Sequence, residues 1–213
     1  MLGDVLLIHD KHKNAAGAIA EKVLEKRKGK YVVAISGESG SGKSELAHCL
    51  AKEFKNRGIR SKIIHADNYY CTHPLKRKEW RMKNGINSVG FTEYDWDVLN
   101  RNISDYRNGR KSEMPCVDLA NDQVDRLITD FSEIDLLIID GLYAIKAEDA
   151  NMRIFIDLTY HKTKLAQDTR GKESLKDEFR LQVLEREHVV MRSLRNIADL
   201  IVDEDYNVSE ANK

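Results

Sequence analysis

The stretch Gly37-Glu38-Ser39-Gly40-Ser41-Gly42-Lys43-Ser44 decides the fold. It satisfies the pattern G-x-x-x-x-G-K-[ST], and its neighbours are those the pattern needs. Before it runs Tyr31-Val32-Val33-Ala34-Ile35, a short apolar run that predicts a buried strand. After it, Leu46, Ala47, Leu50, Ala51 and Phe54 recur at helical spacing, so a helix is predicted from about Lys43 to Asn56, with Gly58 as its C-terminal cap. Such a loop between strand and helix is built for phosphate. Glycines let the backbone curl until successive N–H groups point inward, and the helix start adds partial positive charge. Gly37, Glu38, Ser39, Gly40, Ser41, Gly42, Lys43 and Ser44 are therefore the expected nucleotide-binding residues. The Lys43 ammonium can reach the β- and γ-phosphates, and the Ser44 hydroxyl can ligate Mg²⁺.

Outward from this loop the chain alternates strands with helices. Ser61 to Ala66, Ile134 to Asp140, Arg153 to Leu158 and Ala198 to Val202 read as further strands, and Glu113 to Leu119 as a short extended segment. Helices are expected ahead of Tyr31, where Ala15, Ala16, Ile19, Ala20, Val23 and Leu24 share a face, from about Asp97 to Tyr106, and over 161–196 with a break near Gly171. Residues 68–95 are polar and aromatic without clear period and read as a long irregular stretch, the kind that carries function in a compact domain. The alternation predicts an α/β fold with a central parallel sheet of about five strands flanked by helices. No repeat, linker or low-complexity tract divides the chain.

Composition excludes several classes. The 213 residues suit one domain, and no apolar run approaches the length of a membrane span. Lys plus Arg equals Asp plus Glu at 35 each, so there is no global basic field for nucleic acid or an anionic membrane, and neither is expected as a partner. Cys49, Cys71 and Cys116 are odd in number and form no CxxC pair, which argues against a disulfide or zinc scaffold. The start, Met1-Leu2-Gly3-Asp4, lacks the features of a signal peptide, and a reduced, cytoplasmic setting is expected.

Two acidic residues complete the chemical pattern. Asp140 ends the most apolar run, Leu136-Leu137-Ile138-Ile139-Asp140-Gly141, where an Mg²⁺-side carboxylate belongs. Asp67, in His65-Ala66-Asp67-Asn68-Tyr69-Tyr70, follows the second strand and so lies at the same sheet edge as the loop. There it can orient or deprotonate a hydroxyl, or simply cap a turn; Tyr69 and Tyr70 can flank an acceptor, or simply pack. A GTPase switch would need an Asn-Lys-x-Asp segment, and its nearest look-alike, Thr163-Lys164-Leu165-Ala166, lacks the Asp. A transporter ATPase would need a Leu-Ser-Gly-Gly-Gln signature, also absent. A small-molecule kinase fits.

The combination of Gly37–Ser44, Asp67-Asn68-Tyr69-Tyr70, Ile139-Asp140-Gly141-Leu142-Tyr143 and Ala198-Asp199-Leu200-Ile201-Val202 resembles the uridine kinase/phosphoribulokinase family over about residues 31–203. The resemblance implies a P-loop NTP hydrolase fold of the nucleoside-kinase type, ATP and Mg²⁺ as cofactors, and Asp67 as the catalytic carboxylate. It also implies a lid around 161–190, in which Lys162, Lys164 and Arg170-Gly171 with Lys172 form a sparse version of the family's arginine-rich segment. Arg170 and Lys172 would close over the γ-phosphate. Residues 1–30 would be an N-terminal helical extension, packing on the sheet edge or joining two copies into a homo-oligomer, and 31–213 the kinase domain.

The departures concern the acceptor. Gly90-Phe91-Thr92-Glu93-Tyr94-Asp95-Trp96-Asp97 lacks the family's Phe-Asp-His-Pro pattern, and Pro115-Cys116-Val117-Asp118-Leu119 keeps Pro115 and Asp118 but not the base-reading aromatics. The expected acceptor-side residues are thus Asp67, Tyr69, Tyr70 and Asp118. The expected reaction is γ-phosphoryl transfer from ATP to a small-molecule hydroxyl; a uridine or cytidine kinase with an altered base grip and a non-catalytic nucleotide-binding regulator are the alternatives. Lys76-Arg77-Lys78-Glu79-Trp80-Arg81 reads either as a charged helix face or as an anion-binding cluster. His9-Asp10-Lys11-His12 reads as a surface turn, His65 and His73 as solvent-facing or substrate-facing, and Glu178 to His188 as an exposed ion-paired helix.

Overall fold

The computed structural model describes residues 5–163 and 177–211. Its strands are β1 (Tyr31–Gly37), β2 (Ser61–His65), β3 (Lys111–Asp118), β4 (Gln123–Asp130), β5 (Leu136–Asp140), β6 (Met152–Ile156), β7 (Leu200–Val202) and β8 (Val208–Glu210). Its α-helices are α1 (Asp10–Lys26), α2 (Lys43–Asn56), α3 (Pro74–Asn84), α4 (Trp96–Arg107) and α5 (Glu178–Arg192). The main sheet has the order β2-β5-β1-β6-β7-β8, parallel except for the antiparallel β7–β8 pair.

Every residue of β1 and β5 is buried, because both strands lie inside the sheet with layers on each face. Alternate residues feed opposite layers. Val33, Ile35, Leu136, Ile138 and Ile154 pack with α1 and α2 through Ile19, Val23, Leu46 and Leu50. Val32, Ala34, Leu137 and Ile139 pack with α4 and α5 through Leu99, Ile103 and Met191. Each fully buried Leu or Ile contributes about 1.5–3 kcal/mol relative to exposure.

The parallel strands lie where the apolar runs place them, and α2 and α4 lie within a residue of expectation. Three features differ. The short segment expected at 113–119 is a full strand, β3, hairpinned to β4; β4 is exposed at nearly every position, so it has no alternation to betray it. The stretch 68–95 is not irregular throughout but holds α3 between short 3₁₀ turns. The sheet also has an antiparallel edge strand, β8, only three residues long. The N-terminal segment folds into the body: α1 buries Ala15, Ala16, Ile19, Ala20 and Val23 in the same layer as α2. Among the described residues, no helix is long and apolar enough to cross a membrane.

Candidate active site

The parallel register delivers the chemistry to one edge. Ile35 of β1 and His65 of β2 both lie opposite Asp140, the last residue of β5. The loop after β1, the turn after β2 and the end of β5 therefore meet where parallel strands finish, the usual ligand edge of such a sheet.

The loop is tightly enclosed. A Cβ on Gly37 would lie 2.6 Å from Ser41 Oγ and 3.0 Å from Ile156 Cβ. Gly42 starts α2 at φ +89°, and a Cβ there would lie 1.9 Å from Tyr206 Oη and 3.0 Å from His12 Nε2. Tyr206, in the β7–β8 turn, donates its hydroxyl proton to the Ser41 carbonyl, and its ring meets His12 edge-on at 4.7 Å. His12 is thus buried behind the loop rather than in a surface turn, with Nδ1 accepting the His9 N–H at 3.0 Å. Lys43 curls back so that Nζ donates to the Glu38 carbonyl at 2.9 Å.

Ser44 and Asp140 are in contact: Ser44 Oγ donates to Asp140 Oδ2 at 2.7 Å, and His65 Nδ1 donates to Asp140 Oδ1 at 2.6 Å. His65 is thus tied to the carboxylate while its side chain stays 35% exposed. Asp140 is only 3% exposed. Burial pushes its carboxyl up, yet the His65 hydrogen bond and charge, the Ser44 hydroxyl and the Lys43 ammonium outweigh it and hold the pKa below the ordinary carboxylate value. One hydroxyl and one ionised carboxylate make a fitting pair for Mg²⁺, which takes few protein ligands and completes its shell with phosphate oxygens and water. Among the described residues no cluster of three or more His, Cys, Asp or Glu forms a closed metal cage.

The lowered pKa has a consequence for acid stability. The native state favours ionised Asp140, so its contribution is present above the unfolded carboxyl value and is lost as pH falls through the lower folded value. Asp140→Asn removes that titration. Urea unfolding of the variant is expected to show a shallower loss of stability below about pH 4 than the parent. An unchanged acid limb would show that Asp140 does not titrate as described.

On the acceptor side, Asp67 sits in a 3₁₀ turn, Ala66–Tyr69, directly after β2. The buried Tyr94 hydroxyl donates to Asp67 Oδ1 at 2.7 Å. Burial, then the Asp67 charge, raises the Tyr94 pKa well above its ordinary value, so Tyr94 remains a proton donor to the carboxylate. The two neighbouring tyrosines part company. Tyr70 is half-buried at the cleft, with its ring centroid 4.4 Å from that of Tyr94. Tyr69 turns into the core and donates to Asn102 Oδ1 at 2.8 Å, so it packs beneath the site rather than flanking an acceptor. The Asp118 carboxylate is engaged in its own hairpin: it accepts the Ala120 and Asn121 N–H groups at 2.9 and 3.2 Å and caps the β3–β4 turn.

Two roles escaped the sequence. Glu38 is buried; its Oε2 accepts the Tyr160 N–H at 2.7 Å, and its Oε1 accepts from His188 Nδ1 at 2.7 Å. Thr163 Oγ1 donates to the Ser39 carbonyl at 3.0 Å. The phosphate loop thereby holds chain on both sides of residues 164–176. Lys164, Arg170, Gly171 and Lys172 lie outside the described residues. Second, α5 is not merely an exposed ion-paired helix: it buries Val183, Leu184, Glu187, Val190 and Met191. Arg81 makes a buried fork onto Glu93 at 2.6 and 3.0 Å and reaches Glu187 at 3.3 Å, clamping α3 to α5. The i, i+4 spacing of Arg77 and Arg81 was the available signal that one face of α3 carries guanidinium groups inward.

Comparison with known proteins adds the following. Residues 32–203 match the family model described as "Phosphoribulokinase / Uridine kinase family". The uridine kinase of Ureaplasma parvum is 31% identical over 137 residues, covering 61% of this chain and 63% of that protein, so the match spans just under two thirds of its length. The uridine kinase of Macrococcus caseolyticus is 25% identical over 186 residues, covering 81% of this chain and 87% of that one. Among solved structures, phosphoribulokinase from Rhodobacter spheroides superposes with a TM-score of 0.60 at 16% identity, covering 83% of this chain and 71% of that one.

Proposed function

The chain belongs to the phosphoribulokinase/uridine kinase family, and from that premise we propose that it transfers the γ-phosphoryl group of ATP to a hydroxyl of a small-molecule acceptor. The observation that carries this reading is the meeting of Ser44 with Asp140 at 2.7 Å on the sheet edge that also bears Asp67.

The loop Gly37 to Ser44 cradles the phosphates, with Lys43 leaving the Glu38 carbonyl to neutralise the β- and γ-oxygens. Ser44 and Asp140 would hold Mg²⁺, which would spread the charge that develops on the transferring group. Asp67 receives the acceptor's hydroxyl proton as that oxygen attacks the γ-phosphorus. The bond from the γ-phosphorus to the β–γ bridging oxygen breaks, and ADP leaves with that oxygen. Tyr94 fixes the Asp67 carboxylate, leaving Oδ2 for the acceptor. The lid expected over 161–190 is shorter than that, because 178–190 belong to α5, which is buried in the body; Arg170 and Lys172, outside the described residues, would supply its cations to the γ-phosphate. Residues 31–213 act as the kinase domain in the cytoplasm, with 1–30 as its brace.

Purified protein with Mg·ATP and a panel of nucleosides, sugars, sugar phosphates, hydroxy acids and amino alcohols should release ADP only when an accepted alcohol is present. Turnover of uridine would assign the activity for which the bacterial relatives are named. Nucleotide binding with no turnover on any panel member would overturn the kinase reading in favour of a regulator.

A further inference from the structure

Beside the Asp67 turn lies a cavity of about 150 Å³. Asn68, Tyr70, Thr72, His73 and Arg77 line one side, and Val117 from the β3–β4 hairpin helps close the other. It is small beside the ~300–1,000 Å³ of a drug-sized pocket and suits a compact head group. It is joined to the reacting carboxylate by a short path: Tyr94 bonds Asp67, the Tyr70 ring meets Tyr94 at 4.4 Å, and the Arg77 guanidinium carbon stands 3.4 Å from the Tyr70 ring centroid.

The lining is one-sided in charge. No carboxylate contributes to it among the described residues, whereas Arg77 does, with donors from Asn68, Thr72 and His73. The α3 arginines are divided in role. Arg81 is spent on Glu93 and Glu187. Among the described residues no carboxylate pairs with Arg77, which stacks on Tyr70. Stacking leaves a guanidinium's edge, where its N–H groups lie, directed outward for a planar or tetrahedral anion.

We propose that the acceptor carries a compact anionic group, a carboxylate or a phosphate, and that Arg77 reads it while Asp67 addresses the hydroxyl at the other end. This rests on the kinase reading and narrows its substrate class, since a neutral nucleoside would leave Arg77 unanswered. Arg77 is then a specificity-determining residue.

The test pairs acceptors that differ in charge: glycerol with glycerate and with glycerol phosphate, and ribose with ribose phosphate. The parent should turn over an anionic member at least about tenfold more efficiently than its neutral partner. Arg77→Gln should raise the KM for that anion by about 10- to 100-fold, with Arg77→Lys recovering part of the loss. The carboxylate and phosphate arms separate the two head groups. Affinity for a non-hydrolysable ATP analogue, measured on each variant, reports folding. Equal use of neutral partners, or uridine turnover with a KM that Arg77→Gln does not move, would overturn the anionic acceptor while leaving the kinase intact. If no acceptor supports turnover, the kinase reading falls instead. The cavity is then tested with inorganic phosphate on protein saturated with the ATP analogue: binding weakened at least about tenfold by Arg77→Gln supports an anion site, and equal binding overturns it.

Discussion

Asp67→Asn is expected to cut acceptor-dependent ADP release by ~10²–10⁴-fold, the range that a positioned general base supplies. The substitution is close to isosteric. An amide oxygen can still accept the Tyr94 hydroxyl proton, now made at 2.7 Å, so the 3₁₀ turn and the aromatic stack beside it should persist. What is lost is an oxygen basic enough to take a proton from an alcohol as it attacks phosphorus. The effect should appear in kcat, while the KM for ATP, set at the other side of the transferring group, moves little. A merely structural Asp67 would give a different result, with the Asn variant within about fivefold of the parent and any loss tracking thermal stability. Measuring kcat, KM for ATP and Tm on one preparation separates these outcomes.

Gly42→Ala is expected to be the most damaging single-methyl change in the loop. The methyl would lie 1.9 Å from Tyr206 Oη, and the backbone sits at φ +89°. An L-residue held there costs about 1–2 kcal/mol, and moving Tyr206 off the Ser41 carbonyl costs about 1 kcal/mol more. The sum lowers Tm by roughly 5–10 °C for a chain of this size, and ATP affinity should fall with it because the loop is displaced. Gly17, in the middle of α1 with nothing within 4 Å of an added Cβ, is the control: Gly17→Ala should stabilise by about 0.5–1 kcal/mol. Adding Tyr206→Phe to Gly42→Ala should cost less than the two changes summed, since the overlapping oxygen is gone. Strict additivity would show that backbone strain alone, not the tyrosine, makes this position a glycine.

How far the sequence alone carries depends on how local each feature is. The phosphate loop is eight consecutive residues with a strand before and a helix after, and it is legible whole. Asp140 and Asp67 were legible as strand-end carboxylates because parallel strands finish on one side. Their partners were not: His65 and Tyr94 reach them across 75 and 27 residues, and nothing in either neighbourhood marks the contact. Tyr69 and Tyr70 show the limit clearly. Tyr69 ends the 3₁₀ turn and Tyr70 follows it in extended backbone, so they point in different directions, one into Asn102 and one to the cleft. Glu38 occupies a position where the motif allows any residue, so its buried tie to Tyr160 and His188 carried no signature. The hairpin strand β4 escaped because its side chains face water and pack little, which removes the periodicity that reveals strands.

The wall behind Gly42 bears on where this chain can be cut. Its two components, α1 with His12 and the turn carrying Tyr206, both fall outside residues 32–203, the span that matches the family. A chain trimmed to that span would keep every motif residue named above. It would also uncover the apolar side of α2 that Ile19, Ala20 and Val23 now shield, inviting self-association. The unit that recognises phosphate is therefore larger than the unit that heredity makes recognisable. A recombinant version meant to retain nucleotide affinity should begin before Asp10 and run past Glu210.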